Sequence, residues 1–92
     1  MTVLIMERAS PGLRGLLSRW FLEPRAGVFV GTLSRRVRDL IWEKVCSQRK
    51  ASALMMFRAA NEQGFDVLTY GDPARVVVDA DGLWLVMKPH QQ

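Results

Sequence analysis

The stretch SPGLRGLLSRWFLEPRAGVFVG, residues 10–31, decides the architecture, because within it the apolar spacing changes from helical to extended. Ser10 is placed to cap a helix with its side chain, and Pro11 sits in the first turn, where its missing N–H costs nothing. Leu13, Leu16, Leu17, Trp20 and Phe21 follow at the spacing of one helical face, with Arg14, Ser18 and Arg19 off it. Pro24 is expected to stop that helix. Gly27-Val28-Phe29-Val30-Gly31 is a β-branched and aromatic run bracketed by glycines, and it predicts a strand with a turn or bend at each end.

Working outward, residues 2–6 form a short apolar run that suits a buried central strand. Downstream, Ser34 caps a second predicted helix with Val37, Leu40, Ile41 and Val45 as its apolar stripe. Arg35 and Asp39 are spaced to pair along that helix, and Arg49 and Lys50 complement the negative end of its dipole. Residues 53–57 and 65–70 predict a hairpin, joined by a polar turn holding Asn61, Glu62, Gln63 and Gly64. A tight Asp81-Gly82 turn then precedes a terminal strand over residues 83–87, with Trp84 inside it. That run is apolar on both alternations, so a partner chain is expected to cover it. Two helices and about five strands predict one α/β (α+β) sandwich over residues 1–92, with both helices on one sheet face. The opposite face is expected to meet a second copy related by a twofold axis.

The chain has 92 residues, about half of them apolar and 24% charged, which fits one folded domain and excludes a disordered chain. One cysteine, Cys46, allows no internal disulfide, so a reducing cytoplasm is expected. No apolar run reaches the ~20 residues of a membrane span, and the first residues meet charge too soon for a signal peptide. The net charge of +4 hides a division: residues 1–50 carry +6 and residues 51–92 carry −2. Ten of the thirteen cations are arginine, whose planar fork suits phosphate oxygens. Nucleic acid is therefore the expected partner of the basic half.

Several strings then point to a family. Leu13-Arg14-Gly15, Trp20 and the passage from Glu23 through Gly31, followed by Ile41-Trp42-Glu43, Gly64-Phe65, Tyr70-Gly71 and Asp79-Ala80-Asp81-Gly82-Leu83, resemble CRISPR-associated protein 2 of the type I-E subtype. The resemblance covers nearly the whole chain, with a one-residue gap near residues 47–53. It implies a ferredoxin-like fold with an extra C-terminal strand, and a prokaryotic homodimer. That dimer bridges two dimers of the integrase subunit, CRISPR-associated protein 1, and lies along double-stranded protospacer DNA. On this reading the chain is a non-catalytic scaffold for spacer acquisition. The ferredoxin-like pattern has two strands between its helices, whereas the residues here show one, and Gly31 is expected to mark a bend that hides the other.

The same resemblance assigns DNA contacts to Arg14, Arg36, Arg38 and Arg75, all to the backbone and so without sequence preference. Gly12 and Ala74 stand where relatives carry further basic residues, which thins the contact set. Glu62 and Asp81 match acidic positions that meet the integrase subunit, and Trp84 is the expected interface anchor. Asp79 and Asp81 read first as turn residues. Glu7 matches an acidic position proposed to bind magnesium in a phosphodiesterase reaction, which gives the alternative of a metal-dependent endonuclease. With Arg8 beside it and the lone histidine, His90, in the polar tail, Glu7 reads first as a structural glutamate. The scaffold role needs no cofactor. Trp20 and Trp42 are expected in the core, Met55 and Met56 in packing, and Cys46 at a buried or boundary position of the second helix.

Overall fold

The protein is represented by a computed structural model that describes residues 1–72. Its elements are β1 (Thr2–Glu7), α1 (Pro11–Trp20), β2 (Leu22–Arg25), β3 (Val28–Gly31), α2 (Arg35–Cys46), β4 (Ser52–Arg58) and β5 (Phe65–Tyr70). The strands form one sheet in the order β2-β3-β1-β4-β5, with every neighbouring pair antiparallel. Each helix joins two strands that are separated by a third: β3 lies between β1 and β2, and β1 lies between β3 and β4. Two such interleaved crossovers make a ferredoxin-like α+β fold, with β5 added beside β4 by a hairpin.

Local chemistry explains where the helices start. The Ser10 hydroxyl accepts the Leu13 N–H at 3.2 Å, and the Ser34 hydroxyl accepts the Val37 N–H at 3.2 Å. Pro11 is the first residue of α1. The expected single strand between the helices is corrected to two, β2 and β3, and the second precedes the glycine-bracketed run. Helix α1 ends at Trp20, and Phe21 is already extended, so Pro24 falls inside β2 and does not terminate the helix. β2 is an outermost strand whose four residues are all exposed, and proline is tolerated there because one ladder hydrogen bond fewer is asked of an edge. The reversal between β2 and β3 turns at Gly27, whose φ of 81° is left-handed. Gly31 ends β3 and bends nothing; a Cβ there would stand 2.6 Å from the Trp20 carbonyl oxygen, so the close approach of α1's end to β3 demands glycine.

Strict alternation along the central strands divides the interior in two. Leu4, Met6, Phe29, Ala53, Met55 and Phe57 face the helices and pack with Leu13, Leu17, Ile41 and Val45. Val3, Ile5, Val28, Leu54 and Met56 form the second cluster, on the opposite face. Met55 and Met56 are both fully buried, one in each cluster. All five residues of the second cluster are at most 5% exposed. Trp42 packs against the helix-side core, as expected. Trp20, Leu40 and Cys46 are exposed instead, because α1 and α2 turn these positions toward the outer surface of the helical layer. The expected terminal strand over residues 83–87 lies outside the described residues.

Candidate nucleic-acid interface

Strand directions decide which charges meet. Because β3 and β4 run against β1, the end of the sheet where β1 finishes also holds the start of α1, the β2–β3 turn, the entry to β4 and the end of β5. Arg8, Arg14, Arg25, Arg49 and Lys50 therefore gather at one end of the molecule, although they are scattered over more than forty positions of sequence. The first turn of α1 contains no acid, so its dipole adds positive potential to the same end. Arg8 and Lys50 both adopt left-handed backbone, with φ of 65° and 58°. They flank a shallow cavity of about 420 Å³ that also contains Ser52, Tyr70 and Asp72. Its wall is fixed by hydrogen bonds: the Tyr70 hydroxyl donates to the Gln48 carbonyl at 2.7 Å, and the Asp72 N–H donates to the Ser52 hydroxyl at 3.1 Å.

Arg14 is exposed on α1 and restrained by one carboxylate. Its guanidinium donates to Glu23 Oε2 at 2.7 Å, and the same oxygen accepts the Gly27 N–H at 2.8 Å. The Gly27 N–H holds the Glu23 carboxyl below its ordinary pKa against an opposing desolvation, and Arg14 adds to the lowering. The result is an arginine held over the β2–β3 turn, with its guanidinium carbon 5.8 Å from the centre of the Phe29 ring.

Glu7 ends β1 at this same end, with Arg8 Nε 3.9 Å from its carboxylate. Among the described residues no three metal-ligating side chains converge. A cation beside a single strand-end carboxylate does not fit a magnesium ion within one chain, and a hydrolytic site would need a further carboxylate from a second copy.

The other end of the sheet holds the start of α2 and the β4–β5 turn. Arg36 is exposed in the first turn of α2 and forms no ion pair among the described residues. Arg38 is different: its guanidinium carbon lies 3.8 Å above the Phe57 ring, it pairs with Asp39 at 3.3 Å, and its side chain is only 17% exposed. Arg35 also reaches Asp39, at 4.0 Å, as the helical spacing predicts. Glu62 lies exposed in the β4–β5 turn, at the same end as Arg36. The fold thus places Arg14 toward one end of the helical layer and Arg36 and Arg38 toward the other. Arg75, Asp81 and Trp84 lie outside the described residues, as do Asp79 and His90. Arg25, Arg49 and Lys50 were not singled out by the sequence as contact residues; only the strand order brings them beside Arg14.

A model of the family described as CRISPR-associated protein (Cas_Cas2CT1978) matches residues 1–85. The chain belongs to that family. The match spans β1 to β5 and so covers both charged ends of the sheet. In this CRISPR-associated protein no described helix is long and apolar enough to cross a membrane.

Proposed function

We propose that the chain is a homodimeric, DNA-cradling scaffold of spacer acquisition, of the type I-E subtype, bridging copies of the integrase subunit, CRISPR-associated protein 1. The observation that carries this reading is the convergence of Arg8, Arg14, Arg25, Arg49 and Lys50 on one end of the sheet, beside the positive end of α1. Family membership supports the role in spacer acquisition. Arg36, at the opposite end, adds a further exposed cation for a phosphate. Contacts of this kind go to phosphate, so they position a duplex without reading its sequence. Arg75 adds to the same contact set, while Glu62, Asp81 and Trp84 face the integrase subunit. Magnesium is not required for this role.

The test is fluorescence anisotropy of the full chain with a labelled duplex of about 30 base pairs over a range of salt concentrations. Affinity is expected to fall steeply as salt rises, because bound cations displace condensed counterions. Arg14→Ala combined with Arg36→Ala is expected to weaken binding about tenfold for all sequences alike. Negligible binding at physiological salt, or an unchanged affinity in that double variant, overturns the reading.

A further inference from the structure

On the outer surface of the helical layer, α1 and α2 leave a groove that the sheet end and its arginines do not use. Its cavity, about 290 Å³, is floored by Leu16, Val37, Leu40 and Ile41 and walled by Trp20. Trp20 is 46% exposed and Leu40 54%, both large apolar side chains facing solvent from adjoining helices. Arg19 and Lys44 stand at the rim, and neither side chain has a hydrogen bond or ion pair among the described residues. No carboxylate is among the described residues that line the groove. An apolar seat with unsatisfied cations at its edge is incomplete in both respects.

We propose that this groove is a docking site for an acidic amphipathic helix of a protein partner. The partner would place an apolar side chain over Leu40 and beside Trp20, and set carboxylates against Arg19 and Lys44. A helix lying between two helices would meet their exposed ridges with residues at i, i+3 and i+4. Charge complementarity selects an acidic helix, since a basic one would face two unpaired cations across a desolvated rim. Duplex DNA would use only the two rim cations and leave the apolar floor without a partner. The residues that line it include neither Arg14 nor Arg36, so the test below does not use the residues that carry the DNA-binding reading.

The experiment uses the full chain and a fluorescein-labelled synthetic helix of about 18 residues, five turns long. The helix carries leucines on one face and glutamates elsewhere; a lysine-for-glutamate version and a scrambled version serve as comparisons. The acidic helix is expected to bind saturably and about tenfold more tightly than either comparison. Leu40→Asp is expected to weaken it about tenfold, and Arg19→Glu with Lys44→Glu to reverse the preference toward the lysine version. That reversal is a gain of binding that an unfolded chain cannot produce. Equal binding of all three peptides, no saturable binding, a preference unchanged by the double charge reversal, or displacement of the acidic helix by an unlabelled duplex each overturns the proposal, the last by making the groove a nucleic-acid surface.

Discussion

Glu23 holds two partners with one oxygen, and this makes it the switch on Arg14's availability. A carboxylate that occupies an arginine competes with any phosphate that would do so. Glu23→Gln is expected to raise affinity for duplex DNA about twofold at neutral pH, the small effect of removing an exposed competing carboxylate; anisotropy titration checks it. The depressed pKa of Glu23 also carries a sign. Its stabilising contribution is complete above the ordinary carboxylate value of 4.5 and is lost as pH falls through the lowered folded value. Acid unfolding of Glu23→Gln should accordingly be less steep over that acidic range. Arg38 shows the opposite use of the same side chain. Flattened on Phe57 and paired with Asp39, it is a staple between α2 and β4. Arg38→Ala is expected to cost about 1–2 kcal/mol of stability in urea unfolding, as a lost stacked cation does. Its effect on DNA affinity should be smaller than that of Arg36→Ala, which touches no described partner.

At the level of elements, the two caps and the hairpin were legible from residue types alone. Ser10 with Pro11, and Ser34, stand where helices need their first N–H groups satisfied, and residues 53–57 and 65–70 are runs rich in apolar residues on either side of a polar turn, as the strands of a hairpin are. Strand β2 was not legible. Leu22-Glu23-Pro24-Arg25 has neither an apolar alternation nor a β-branched residue, since an edge strand with all four residues exposed has nothing to bury. Trp20 and Phe21 also continued the helical stripe, although the first is exposed and the second belongs to the turn into β2. Gly31 was visible, but its purpose was not, because the carbonyl it must accommodate comes from the far side of that unseen strand. Gly31→Ala is expected to destabilise the fold by about 1–3 kcal/mol, the cost of forcing volume into a packed contact. A lowered midpoint in urea with an unchanged slope would be the corresponding result.

Across the whole molecule, charge was legible by halves but not by place. The sum over residues 1–50 pointed to a polyanion, yet only the strand order brings Arg25 and Lys50 to the end that holds Arg8 and Arg14 while sending Arg36 to the far end. The two roles that the family leaves open separate cleanly at Glu7. Glu7→Gln is expected to leave duplex affinity unchanged or slightly raised; magnesium-dependent cleavage by the purified chain that vanishes in this variant would establish the nuclease instead.

Pro24 has a wider reach than its own strand. A sheet flank lacking a donor midway, and only four residues long, gives an incoming strand too little to pair with. Sheet-to-sheet pairing of copies of this chain is therefore disfavoured through the β2 flank.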